Sequence, residues 1–391
     1  MMNTGHRSRG QRGQMMLVTA ISLVVVLGFA AMAIDVGLAY RDRRDLQNDV
    51  DAAALAGSQH LPTNPATAKD RAEDWLFKNG IKPAQITSID IESGLASNDT
   101  IRVEVDDDFG WIFGRALGLT TSNVGAHGKA RVGSVEGNNE MMPWAILQGE
   151  SSCLDASGDA IWGQDCEVKV GAGSSIAGWY GALDYDGNGG GSSEYESNII
   201  DGMTDTTYCA SGAFTDPCPG TAQVADLDGN KVGGTGQGIE TRLASGPACD
   251  GNGNGTDDFD EVFQPDPSGI SDFVVVCPDS PRAVIIPIVS INGTPVQDVT
   301  IVGWTLAYLK AYSCVAASVS ASGGGELVLA IGQDGLGASF AAAALAAPNC
   351  NTAQGHWEVQ IRIVNASYSQ VEGYLGAFDP NSGITVRRLV E

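Results

Sequence analysis

The run Asp250-Gly-Asn-Gly-Asn-Gly-Thr-Asp-Asp-Phe-Asp-Glu261 sets oxygen-bearing residues at positions one, three and five of a twelve-residue loop, with Gly at six and Glu at twelve. That spacing fits an EF-hand-type calcium loop, in which hard oxygens converge on Ca2+ from a tight turn. Asp250, Asn252, Asn254, Asp258 and Glu261 would supply side chains, and the Thr256 carbonyl a backbone oxygen. No amphipathic helix flanks the run, so the expectation is a bare calcium loop; its alternative is a polar Asx/Gly turn beside Cys249. A poorer version, Asp184-Tyr-Asp-Gly-Asn-Gly189, offers Asp184, Asp186 and Asn188, but its twelfth position is Tyr195, between Glu194 and Glu196. Asp226-Leu-Asp-Gly-Asn230 is weaker still, because Lys231 stands where the sixth-position Gly belongs.

The eight cysteines (Cys153, Cys166, Cys209, Cys218, Cys249, Cys277, Cys314 and Cys350) admit two chemistries. Zinc sites pair their ligands about two to four residues apart, and here no two cysteines are that close and no His stands beside one. An even number in a loop-rich region therefore predicts four disulfides and an oxidising compartment. Of the 105 or so pairings that eight cysteines allow, sequential neighbours (153–166, 209–218, 249–277, 314–350) close the smallest loops. Catalytic signatures are missing. There is no G-x-S-x-G elbow, H-E-x-x-H pair or phosphate-binding loop, and Gly234-Thr-Gly236 lacks the third glycine of a dinucleotide fingerprint. The expectation is a protein that is not an enzyme.

These residues sit on a chain that opens with a basic lead, 1–14, carrying Arg7, Arg9 and Arg12, followed by an uncharged apolar run from Met15 to Ile34. At about 1.5 Å per residue such a run matches a hydrocarbon core of roughly 30 Å. A cleaved secretory signal is the alternative, and Ala31-Met-Ala33 fits a small-x-small site, but the run exceeds the roughly 7–15 residues of a signal core. Arginines flank both ends (Arg41, Arg43 and Arg44 follow), so the positive-inside comparison is nearly tied. The cysteines, all beyond residue 150, break the tie: N-terminus in the cytoplasm, a single pass through the plasma (inner) membrane, and the bulk outside. The net charge of −25 concentrates between Glu150 and Asp279, where 23 Asp/Glu face three Lys/Arg. Such a surface repels phosphates, which argues against nucleic acid as a partner.

Arg12-Gly-Gln14, the apolar run, Asp35-Val-Gly37, Tyr40, Leu46-Gln47 and Asp51-Ala-Ala-Ala-Leu-Ala56 together resemble the N-terminal Tad domain of TadG-like proteins. That family serves tight-adherence (Flp-type) pilus assembly. The resemblance implies a membrane-anchored structural or assembly component whose partners are the membrane and other Tad pilus components or pilin-like helices. Asp35, Gly37, Tyr40, Leu46 and Gln47 are its implied helix-interface residues. A partly buried carboxylate at the bilayer edge needs a partner, so Asp35 is expected to pair with a basic or amide group on a neighbouring helix; the alternative is a simple interfacial stop signal. Processed members are cut after a Gly with a Glu five residues on. Here Gly10 and Gly13 are followed at that distance by Met15 and Val18, which argues for a retained anchor. A stand-alone surface or adhesion protein that uses a Tad-type anchor is the alternative function.

The expected fold class is α+β. The transmembrane helix 15–34 extends outward into a pilin-like α+β domain, 35–133, followed by a mainly β, disulfide-stapled extracytoplasmic domain, 140–391. Small residues Ala53, Ala54 and Gly57, with Leu38, Leu46 and Val50, recur at helical spacing and pack either on partner helices or on the chain's own sheet. Ala66–Asn79 reads as a second helix and Phe109–Leu117 as a short apolar one. Strands are expected at 86–91, 101–105 and 124–132, then at 283–289, 299–304, 327–331, 357–364 and 384–386. Gly133–Asn139 reads as a turn-rich linker.

Overall fold

The computed structural model describes residues 11–138, most of 141–317, and 326–331, 355–368, 373–378 and 382–390. Helix α1 (Gln11–Ser58) runs unbroken for 48 residues. Its two halves do different work. From Met15 to Ala30 every side chain is exposed, and this is a helix long and apolar enough to cross a membrane. In the second half Leu46, Val50, Ala53 and Ala54 are buried against the chain's own sheet and α2 (Pro65–Lys78). Gly57 sits where a Cβ would come within 2.6 Å of Ile101 Cδ1 and 2.8 Å of the Ala68 carbonyl, so helix, helix and sheet meet at backbone distance. The small-residue stripe is thus an intramolecular contact. Asn64 starts α2 by accepting from the Thr67 amide, with Pro65 pre-set at the first helical position.

Strands β1 (Ile86–Glu92), β2 (Thr100–Gly110) and β3 (Thr121–Asn138) form an antiparallel layer beneath these helices. The short helix expected at 109–117 is not formed. Phe109 is buried on β2 in phase with Ile101, Val103 and Val105, although Asp107 between them is exposed, and its ring stands edge-on to Trp111 at 5.5 Å. Only one 3-10 turn, Gly114–Leu117, remains helical, closed by Gly118 at φ +88°. The expected linker at 133–139 is also overturned, since residues 133–138 prolong β3. Small residues suit that strand because another segment crosses it closely. A Cβ at Gly133 would approach Leu375 Cγ to 2.7 Å.

Short elements come next in the chain: β4 (Ile146–Leu147), β5 (Asp165–Lys169), β6 (Leu183–Asp184), α3 (Ser192–Asp201), β7 (Tyr208–Cys209), β8 (Gln223–Asp226), α4 (Val232–Ala244), α5 (Phe259–Val262), β9 (Phe263–Pro265) and β10 (Phe273–Val275). The long strands are β11 (Ala283–Ile291), β12 (Asp298–Ala317), β13 (Glu326–Ile331) and β14 (Gly355–Val364), and β15 (Ala366–Ser367), β16 (Gly373–Leu375) and β17 (Ile384–Leu389) close the order. One sheet runs β4-β11-β12-β14-β5. It is covered on both faces. Val284, Ile286, Ala307 and Ile361 pack in a cluster with Tyr195 and Ile199 of α3 and Ile239 of α4, while Ile285, Trp304, Leu306 and Tyr308 pack in a second. Burial on both faces is why Ala283–Val289 reads as unbroken apolar sequence rather than alternation. The other sheet runs β1-β2-β3-β17-β15-β10-β9, so the N-terminal layer and the later part share it. The fold is α+β, as expected.

Disulfides join Cys153–Cys166, Cys209–Cys218 and Cys249–Cys277. The remaining expected pair, Cys314–Cys350, lies outside the residues whose side chains are described, as does Asn188.

Candidate functional site

Two places gather the residues singled out above: the end of the N-terminal layer beside Asp35, and the acidic loops of the later part. At the first, Asp35 is completely buried. Its carboxylate accepts from the backbone amides of Ile112 (3.2 Å), Phe113 (2.9 Å) and Gly114 (2.7 Å). The expected partner on a neighbouring helix is replaced by the chain's own loop. Three successive amides at the mouth of the 3-10 turn point one way and form a nest that suits an anion. Gln47 donates from Nε2 to Asp51 Oδ1 (2.9 Å) and to the His127 carbonyl (2.7 Å), and so fixes α1 on β3. Leu46 is buried beside it. Of the five interface residues, Gly37 and Tyr40 remain exposed; Tyr40 is 72% accessible and nothing lies within 4 Å of a Cβ at Gly37.

The 250–261 loop is closed by its own donors. Asp250 accepts from the amides of Gly253, Asn254 and Gly255, and Glu261 from those of Gly251, Asn252 and Asp258. The side-chain amides of Asn252 and Asn254 both donate to Asp258 Oδ2 (2.7 and 2.8 Å), while Asp258 Oδ1 is buried with no hydrogen-bond partner. The loop base is held by Asp257, which is not among the motif's ligand positions. Asp257 turns inward to accept from the Ala248 and Cys249 amides and the Ser280 hydroxyl. Arg282, also buried, donates to the Thr256 hydroxyl at 3.0 Å and the Leu309 carbonyl at 2.7 Å. The sequence carries no signal that an arginine beside Pro281 should be buried.

The acids that converge belong to the weaker motif. Among the described residues, Asp184, Asp186 and Glu194 each bring a carboxylate oxygen within 4.8 Å of the others, an arrangement that could hold a metal ion. Asp184, buried on β6, accepts from the Gly187 and Gly189 amides at 3.2 and 2.8 Å. Glu194 arrives from the first turn of α3, which brings it one residue short of the motif's twelfth position. Burial, then the negative charges of Asp186 and Asp184, raise the Glu194 carboxyl above the ordinary carboxylate value. Burial and the same two charges raise the neighbouring Tyr208 phenol, whose hydroxyl donates to the Tyr185 carbonyl. Three acids from β6, the turn after it and α3 thus stand close enough together to hold a cation.

Residues 13–66 match the model of a family described as putative Flp pilus-assembly TadE/G-like. The match covers the apolar run, the Asp35 and Gln47 contacts and the start of α2. No curated protein and no solved structure matches the chain.

Proposed function

We propose that this chain is a membrane-anchored structural and assembly component of a tight-adherence (Flp-type) pilus system. The observation that carries this reading is the family match over residues 13–66, which falls on the one helix among the described residues that is long and apolar enough to span a bilayer. The helix crosses the plasma (inner) membrane once, with the N-terminus in the cytoplasm and the disulfide-bearing part outside, where three closed disulfides are at home. The role is assembly rather than catalysis. Because Asp35, Leu46 and Gln47 are occupied within the chain, the face left for pilin-like helices is that of Gly37 and Tyr40. The cation at Asp184, Asp186 and Glu194 is Ca2+, since three hard oxygen ligands suit it.

The test is made in the native host. Gly37→Leu should lower pilus number and the recovery of co-purifying pilus components while leaving the melting temperature of the purified protein unchanged. Deletion of the whole chain should abolish pili. Normal pilus number after deletion sinks the reading and leaves a stand-alone surface protein; a normal phenotype for Gly37→Leu alone rejects that helix face.

A further inference from the structure

The tip of the β2–β3 hairpin, residues 111–120, is apolar at a place where hairpins are ordinarily polar. Ile112, Phe113, Leu117 and Leu119 are 58%, 46%, 75% and 41% exposed, and Arg115 is the tip's single charged residue. Other large apolar side chains exposed among the described residues lie along α1 between Met15 and Tyr40, or singly, as at Phe77, Ile161, Val276 and Leu389. The tip continues the first of these sets. The Asp35 carboxylate holds the amides of Ile112, Phe113 and Gly114, so the tip lies beside α1 one residue beyond the uncharged run that ends at Ile34. Ala31, one turn earlier on the face of Asp35, is half-buried, whereas Met32, Ala33 and Ile34 are exposed.

We propose that this tip is a second membrane contact, seated in the lipid–water interface of the leaflet from which α1 emerges. The proposal rests on α1 being a membrane span. Aromatic and aliphatic side chains with a nearby arginine suit that layer, where rings and methyls enter the acyl boundary and a guanidinium reaches phosphates. The occupant is lipid because the tip's apolar surface runs on from that of the span and is held at its level by a buried carboxylate. Depth is limited from above. Asp106, Asp107 and Asp108 are exposed on β2, roughly 10–16 Å back from Trp111 at about 3.3 Å per residue, so they stay in water. A single helix is free to rotate about its axis in a bilayer. A helix with a rigidly attached interfacial loop is not, and the outer domain is thereby given a fixed orientation to the membrane surface.

The experiment uses the full chain in vesicles of phosphatidylethanolamine and phosphatidylglycerol, with a benzophenone amino acid replacing Leu23, Leu117 or Ile161 one at a time. After irradiation, mass spectrometry identifies each adduct. Lipid adducts at both Leu23 and Leu117, and none at Ile161 in the outer domain, are expected. Lipid at Leu23 with protein, or nothing, at Leu117 overturns the loop contact while leaving the anchor standing, and protein adducts there would assign the tip to a second copy. No lipid at Leu23 removes the membrane reading and this proposal with it. Leu117 is exposed, so the probe does not disturb folding; closed disulfides in each variant verify this.

Discussion

Asp99 is fully buried, and its oxygens take the amides of Gly94, Leu95 and Ala96 and the Thr100 hydroxyl at 2.7–2.8 Å. Burial pushes this carboxyl up, but the bonds from Ala96, Gly94, Thr100 and Leu95 outweigh it and hold the group below the ordinary value. A depressed folded-state pKa contributes stability that is complete above the unfolded value of about 3.9 and is lost as pH falls through the folded value. Asp99→Asn should therefore cost on the order of 2 kcal/mol at neutral pH, and urea melts should show the gap closing only in acid. A gap of constant size down to the acid transition would mean the charge is irrelevant. Glu194 poses the opposite case, a carboxyl raised by burial and by Asp186 and Asp184. Those charges oppose its ionisation, and a bound Ca2+ would offset that repulsion. At ten times Kd the ion should add about 1.4 kcal/mol, seen as a higher melting temperature in calcium than in EDTA. Glu194→Gln should remove most of that shift and Glu261→Gln little; the reverse would move the ion to the 250–261 loop, and no shift in the wild type would leave both sites as ordinary acidic surface.

At the level of elements, Gly57 decides how closely α1 and α2 approach β2. A side chain there meets the Ala68 carbonyl, which is backbone and cannot swing away, as well as Ile101 and Ala72. Gly57→Val should destabilise the protein by about 1–3 kcal/mol through overpacking, despite the gain in helix propensity. An unchanged thermal melt would show that the layers separate freely. Such elements were largely legible in the sequence, because periodicity reports burial. The alternation at 86–91 and 101–105 and the apolar runs at 283–289 and 357–364 correspond to β1, β2, β11 and β14. The failures occurred where another segment supplied the missing reason. Phe109 joins β2 because it pairs with Ser122 of β3, and Gly133 continues β3 because residues 373–376 cross it. The acids were legible as motifs but not as geometry. The EF-hand pattern pointed to Asp250 and Glu261, yet those carboxylates are taken up by the loop's own amides, and it is the imperfect motif that gathers three acids. Asp35 was recognisable as an unusual charge at the end of an apolar run, but its partner lies 77 to 79 residues away in sequence, beyond the reach of local patterns.

The molecule as a whole is tied together by its last strand. β17 lies between β3, to which it is antiparallel, and β15, to which it is parallel, so the sheet passes from the N-terminal layer to β15, β10 and β9 through residues 384–389. Ile384 and Val386 are buried, in the cluster that holds Trp304, Leu306 and Tyr308 of β12. By this route a loosening of β3 would reach β15, β10 and β9. Val386→Asp places an unpaired carboxylate in that cluster and removes an apolar contact, a change expected to cost more than about 3 kcal/mol. Amide hydrogen exchange is the measurement. If β17 couples the two parts, protection should fall together at residues 130–134 of β3 and at Ala366 and Ser367 of β15, while β1 and the centre of β12 keep theirs. Loss confined to β15, with β3 unchanged, would show that the N-terminal layer stands without the C-terminal strand and that the two parts fold as separate units.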